Sequence, residues 1–234
     1  MVSDLQNKPP LLGAGLRPAA ILFDLDGTLV DSATDLALAV NRCLQDFDLP
    51  AAEEAAVRGW VGNGAAKLVE RALCDRLRCE PADLESGLAD KALQAFFRHY
   101  EACCTETTQL YPGVEQTLAQ LQPYYPMACV TNKPERYARR LLDHLQLPFA
   151  VLIGGDTLAV KKPAPEPLLQ ACAELGVDAS DCLMVGDSRS DVLSARAAGM
   201  PVLCYSYGYN HGAPVASLNP DFLRHEFAGL MSGD

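Results

Sequence analysis

Three short stretches of this sequence gather side chains able to do chemistry: Asp24-Leu25-Asp26-Gly27-Thr28, Thr131-Asn132-Lys133 and Gly186-Asp187-Ser188-Arg189-Ser190-Asp191, with Lys162 between the last two. Carboxylates two residues apart share one face of an extended chain, and Gly27 permits a sharp turn that lets both face one cleft. Such carboxylates repel unless a cation sits between them. The second acidic pair, Asp187 and Asp191, adds oxygen donors, and an all-oxygen site with few protein ligands suits Mg²⁺.

Phosphoryl transfer needs a nucleophile, charge neutralisation on the phosphoryl oxygens and a proton for the departing oxygen, and this set supplies all three. In this reading Asp24 attacks phosphorus to give an aspartyl-phosphate. Asp26 protonates the leaving oxygen and then activates water. Thr131 and nearby backbone N–H groups hold phosphoryl oxygens, Lys162 pairs with the phosphate and with Asp24, and Asp187 completes the metal site. Asp191 is either a further metal ligand or a partner that orients Lys162 or a metal-bound water.

These residues sit where apolar runs stop. Ala19 to Phe23, Met127 to Val130, Ala150 to Ile153, Cys182 to Val185 and Pro201 to Tyr205 read as buried parallel strands. Helical patterns over Pro134 to Leu145, Pro165 to Leu175 and Asp191 to Ala198 alternate with them. The alternation predicts an α/β fold, a Rossmann-like doubly wound parallel sheet whose ligands bind beyond the carboxyl ends of the strands. From Asp35 to Gln109 the rhythm breaks into helices alone, over Leu36 to Phe47, Ala65 to Leu77 and Pro81 to Tyr100. The expected organisation is therefore a loose arm over 1–18, a core over 19–34 and 110–234, and an inserted all-helical cap over 35–109 that excludes water from the strand ends.

Composition narrows the partners. A net charge of −11, with nineteen scattered basic residues, argues against nucleic acid. Cations converging on one cleft can still outweigh diffuse surface charge, so a small anionic substrate remains admissible. No apolar run approaches the roughly 20 residues that span a bilayer, and the first eighteen residues lack the pattern of a signal peptide. Nine dispersed cysteines, none in CxxC spacing, read as small apolar core residues in a reducing compartment. A soluble cytoplasmic protein, monomer or homodimer, is expected.

Together, Asp24 to Val30, Thr131-Asn132, Lys162-Pro163 and Gly186 to Asp191 resemble the four motifs of the haloacid dehalogenase superfamily, in order and spacing, from about Ile21 to the C-terminus. The resemblance implies a phosphotransferase, because the second aspartate, Asp26, marks those members. It also implies a C1-type helical cap, and Mg²⁺ held by Asp24, Asp187 and the Asp26 backbone carbonyl. Thr131, Asn132, Gly27 and Lys162 would surround the phosphoryl group. Lys162 rather than Lys161 is chosen because it precedes Pro163 as in the family's third motif, leaving Lys161 as a solvated charge. Trp60 to Gly64, Gly154 to Thr157 and Tyr207 to Gly212 are further similar to bacterial phosphoglycolate phosphatases, which implies 2-phosphoglycolate as substrate.

Other readings stay open on the sequence: a phosphatase for a sugar phosphate or for pyrophosphate, a phosphomutase, or a non-catalytic metabolite-binding protein. Asn63, flanked by glycines, is either part of an ordinary turn or an anion site at a helix start. Lys133, Arg189 and Lys67 are either further partners for a substrate carboxylate or solvated cations. His211 is a surface residue, a substrate contact or a structural link. Trp60, Phe96 and Phe97 are read as cap core.

Overall fold

The structure, a computed structural model, describes residues 15–230. The chain runs β1 (Ala20–Phe23), β2 (Val30–Asp31), α1 (Ala33–Asp46), α2 (Glu54–Trp60), α3 (Ala65–Leu77), α4 (Leu88–Cys103), β3 (Gln109–Leu110), α5 (Val114–Leu121), β4 (Met127–Val130), α6 (Glu135–His144), β5 (Val151–Ile153), α7 (Glu166–Leu175), β6 (Cys182–Gly186), α8 (Arg189–Ala197), β7 (Val202–Tyr205) and β8 (Phe222–Arg224). The expected arm over 1–18 falls, from 1 to 14, outside the described residues, while Leu16 packs against the core.

Six strands form one parallel sheet in the order β5-β4-β1-β6-β7-β8. All five expected strands are present, and the fold class is the expected α/β one. The strands read as unbroken apolar runs because both faces are covered: Ile21 and Phe23 face Val114, Leu118 and Leu121 of α5, whereas Ala20 and Leu22 face Leu168 and Ala171 of α7 and Val192 of α8. Register then fixes the chemistry. Phe23 lies opposite Cys129 on β4 and Val185 on β6, so the residues that follow these three strands emerge side by side at one edge.

Helices α1 to α4 share a separate apolar core, with Leu36, Val40 and Leu44 of α1 packed among Leu68 and Leu73 of α3 and Phe96 of α4. Two linkers, paired as the short antiparallel strands β2 and β3, join this layer to the sheet. Two details depart from the sequence reading. The helix expected over Pro81 to Tyr100 is instead a single 3₁₀ turn at Pro81–Asp83, then a break at Gly87 with φ +77°, then α4. Positive φ at Gly87 ends helical geometry, so the long helix cannot be continuous. The unexpected β8 is a three-residue, half-buried edge strand, too short to show periodicity.

Asp35, fully buried near the start of α1, clamps the linkers together. Its carboxylate accepts from the backbone N–H groups of Thr107 and Thr108 and from both threonine hydroxyls at 2.6 and 2.7 Å. Truncation would strand the buried N–H and hydroxyl of Thr108, while those of the exposed Thr107 would turn to water. Asp35→Ala is expected to destabilise the protein by about 3 kcal/mol in urea unfolding monitored by circular dichroism; an unchanged midpoint would remove the clamp from the account.

Candidate active site

The turn after β1 is built by Gly27. At φ +90° it takes a backbone conformation that side chains resist, and an added Cβ would lie 2.5 Å from Asp187 Oδ2 and 2.9 Å from the Tyr209 ring. Its N–H donates to Val30 O at 2.9 Å, while Leu25 points into the core. Asp24 and Asp26 are thereby turned into one cleft between the strand ends and helices α1, α3 and α4.

Lys162, 2% exposed, lies between Asp24 Oδ1 at 2.9 Å and Asp191 Oδ1 at 2.7 Å. Asp191 is completely buried, and its other oxygen accepts from Ser188 N–H at 3.0 Å, Ser188 Oγ at 2.7 Å and Asp187 N–H at 3.2 Å. Both of its oxygens are thus engaged by the protein. Asp187 accepts from Thr28 Oγ1 at 2.6 Å on one oxygen and from Tyr209 N–H at 2.6 Å on the other. Burial pushes the Asp24 carboxyl up to about 6, opposed by Lys162 and reinforced by Asp191. Burial and the charges of Asp24 and Asp191 raise Asp187 well above the usual carboxylate range. Burial alone would lower the Lys162 ammonium, but Asp191 and Asp24 outweigh it and raise it.

Asp24, Asp187 and Asp191 place carboxylate oxygens within 4.8 Å of one another, all buried. Counting Asp26, four carboxylates face the two ammoniums of Lys162 and Lys133, leaving two negative charges uncompensated. One divalent cation would balance them, and an all-oxygen set suits a hard ion. The residues present therefore fit a metal site, with Asp24 and Asp187 retaining oxygen lone pairs for it.

Of the three cations left open on the sequence, Lys133 is the one that lines the cleft. Far from being a solvated cation, it is 6% exposed, and its ammonium lies 3.0 Å from Asp26 Oδ1 and 4.9 Å from the Tyr100 ring centroid. The other oxygen contact of Asp26 is Ser32 Oγ, which donates to Oδ1 at 2.5 Å. Neither residue type in its local pattern distinguishes such a role from an ordinary surface one. Lys67, by contrast, is exposed and paired with Glu70, and Arg189 is exposed. Lys161 is half-buried, its ammonium close enough to Gly64 that a Cβ there would lie 2.9 Å away.

Thr131, 4% exposed, lines the cleft, and its hydroxyl accepts from Lys133 N–H at 3.2 Å. Asn132 also lines it, but its amide nitrogen donates to the carbonyls of Gly62 and Lys162 at 3.2 and 3.0 Å, tying two loops together. Asn63 does not reach the cleft: it joins Ser190 Oγ at 3.2 Å to the Arg71 guanidinium at 2.6 Å, and Gly62 and Gly64 on either side of it line the cleft instead. His211 proves to be a link, 3.0 Å from Gly59 O. Phe96 and Phe97 belong to the helical core and also wall the cleft, whereas Trp60 packs only against that core. Two buried atoms of cleft-lining residues, Tyr100 Oη and Asn132 Oδ1, lack a hydrogen-bond partner, as a cleft shaped for a polar ligand would leave them.

The raised carboxyls give a signed expectation. A carboxyl whose folded-state pKa exceeds its unfolded value stabilises the fold below the unfolded value, and that contribution is lost as pH rises through about 6. In EDTA the Asp24–Asp187 cluster is therefore a growing liability toward neutrality. A divalent cation is expected to raise the Tm more at pH about 7.5 than at pH about 5, read by differential scanning calorimetry; an equal rise at both would count against a cation at these carboxylates.

Comparison with known proteins agrees with this geometry. A family model described as haloacid dehalogenase-like hydrolase matches residues 18–199. The phosphoglycolate phosphatase of Pseudomonas syringae pv. tomato is 48% identical over 225 residues, covering 95% of this chain and 82% of that protein. The phosphoglycolate phosphatase of Nitrosococcus oceani is 43% identical over 208 residues, covering 88% of this chain and 91% of that protein. The crystal structure of a predicted phosphoglycolate phosphatase from Haemophilus somnus superposes with a TM-score of 0.81 at 38% identity, covering 90% of this chain and 95% of that one. No helix among the described residues is long and apolar enough to cross a membrane. With its four motifs converging at the strand ends and a family model matched from 18 to 199, the chain belongs to the haloacid dehalogenase-like hydrolases.

Proposed function

We propose that this chain hydrolyses 2-phosphoglycolate to glycolate and phosphate, with Asp24 as nucleophile, Asp26 as acid and base, and Mg²⁺ as cofactor. The observation that carries the reading is the pair of buried ammoniums in one cleft, Lys162 against Asp24 and Lys133 against Asp26. Lys162 occupies Oδ1 of Asp24, which leaves Oδ2 to attack phosphorus. The phosphoryl oxygens are met by the Lys162 ammonium and the Thr131 hydroxyl, whose proton is free to be donated. As the P–O bond breaks, Asp26 gives its proton to the departing oxygen. It then takes a proton from the water that attacks phosphorus, which releases phosphate and restores Asp24. Mg²⁺ held by Asp24, Asp187 and the Asp26 backbone carbonyl would neutralise charge on the phosphoryl oxygens. Asp191, saturated by Lys162 and Ser188, is read as the residue that orients Lys162.

The cleft walls supply the substrate reading. Leu36, Leu68, Phe96 and Phe97 are apolar and offer nothing to sugar hydroxyls, which favours a small ester. Lys133 provides a cation for a second anionic group, and the relatives are named for a substrate that has one. Helices α1 to α4 are read as the cap that keeps bulk water from the aspartyl-phosphate, with the core over 19–34 and 110–234. Nine free cysteines suit a reducing cytoplasm.

Phosphate release from 2-phosphoglycolate, several sugar phosphates and pyrophosphate, with Mg²⁺ and with EDTA, tests the reading. EDTA-sensitive preference for 2-phosphoglycolate is expected; preference for a sugar phosphate would overturn the substrate, and silence on every ester would overturn the enzyme. Lys133→Met is expected to raise KM for 2-phosphoglycolate about tenfold while changing KM for ethyl phosphate, which lacks a second anion, by less than about twofold. Equal changes for both esters would place Lys133 away from the carboxylate.

A further inference from the structure

Helix α1 has an unusual start. Ser32 occupies its N-cap position, where a serine side chain ordinarily accepts from the first free N–H groups of the helix, yet Ser32 makes no such bond. Its hydroxyl donates to Asp26 Oδ1 instead, at 2.5 Å. The backbone at this start is held by a residue 177 positions away: the phenol oxygen of Tyr209 accepts from the N–H of Ser32 at 3.1 Å and of Ala33 at 3.2 Å, and donates to Asp31 Oδ1 at 2.5 Å, an oxygen that also accepts from the Ala33 N–H at 3.3 Å. Tyr209 is 4% exposed, held between the Gly27 turn and Arg58, whose guanidinium lies 5.8 Å from its ring centroid and 2.9 Å from Asp31 Oδ2. The backbone N–H of the same residue donates to Asp187 Oδ2 at 2.6 Å.

We propose that Tyr209 is a positioning residue for the reaction: by holding the backbone of Ser32 it aims the Ser32 hydroxyl at the Asp26 carboxyl, and through its own backbone it fixes Asp187 in the same frame. The proposal rests on the acid–base role read above for Asp26. Removing the hydroxyl leaves the Ser32 N–H without its acceptor, while the Ala33 N–H keeps Asp31 Oδ1; the backbone at Ser32 is released, and Asp26 keeps Lys133 but loses the hydroxyl that aims it. The backbone bond to Asp187 survives the substitution, so metal binding does not follow the loss.

Leaving-group dependence separates positioning from general damage. An alkyl ester such as 2-phosphoglycolate needs a proton on its departing oxygen, whereas para-nitrophenyl phosphate expels a stabilised anion that does not. Values of kcat/KM report the first phosphoryl transfer and are compared for the two esters in the wild type, Tyr209→Phe, Ser32→Ala, Ser32→Thr, the Tyr209→Phe/Ser32→Ala double variant and Asp26→Asn. Tyr209→Phe and Ser32→Ala are each expected to lower the alkyl value about tenfold and the aryl value by less than about twofold. Their combination is expected to cost no more than either alone, since both act through Asp26, and Ser32→Thr, which keeps the hydroxyl, is expected to retain activity. Equal losses on both esters, multiplied losses in the double variant, or no loss in Ser32→Ala would overturn the proposal. If Asp26→Asn loses both esters equally, the acid–base reading itself fails and takes the proposal with it; if Asp26→Asn alone shows the split, the reading stands and Tyr209 only holds the helix start.

Discussion

Asp24, Asp187 and Asp191 lie within 4.8 Å of one another and out of water, and like charges so placed repel strongly unless cations and N–H donors stand among them. Most of the local architecture answers that repulsion. Lys162 is buried between Asp24 and Asp191, Ser188 holds the other oxygen of Asp191, and Thr28 and Tyr209 satisfy Asp187. Gly27 lets Asp187 and Tyr209 approach the turn so closely that no side chain fits there. What is left uncompensated is the charge a divalent cation carries, which is why a chain of net charge −11 can hold an anionic ester in this cleft.

The sheet exists, in functional terms, to hold this arrangement in register. Pairing of Phe23 with Cys129 and with Val185 brings three distant segments of sequence to adjacent strand ends. Strands buried on both faces move little, so Asp24 and the ammoniums around it are placed by the most rigid part of the molecule. The helical layer is attached differently, by two short linkers that Asp35 and Tyr209 secure from opposite sides. Elements that admit substrate sit on such attachments, and here the attachment itself carries Ser32 to the Asp26 carboxyl.

Much of this was legible in the sequence for physical reasons. Apolar runs ending in Asp24, Thr131 and Asp187 mark buried strands that terminate in polar groups, and alternation with helices leaves few topologies. Asp24, Asp26, Thr131, Lys162 and Asp187 were readable because their types are scarce at such positions. Lys133 was not, since an ammonium beside Pro134 has the same local pattern whether it is solvated or pinned against Asp26 and the Tyr100 ring. Asn63 stood open between a turn and an anion site, and in the structure its amide is engaged by Ser190 and Arg71. The hold of Tyr209 on the Ser32 backbone is a contact across most of the chain, which no local pattern encodes.

The account stands or falls on a covalent bond between phosphorus and Asp24. Rapid mixing of enzyme with 2-phosphoglycolate and Mg²⁺, quenching into borohydride and peptide mass spectrometry reads it directly, because an acyl phosphate is reduced to the alcohol while a free carboxylate is not. The account predicts homoserine at position 24 in substrate-treated enzyme and aspartate there without substrate. Phosphate released at full rate with Asp24 unreduced, or reduction at another acidic residue, would contradict it.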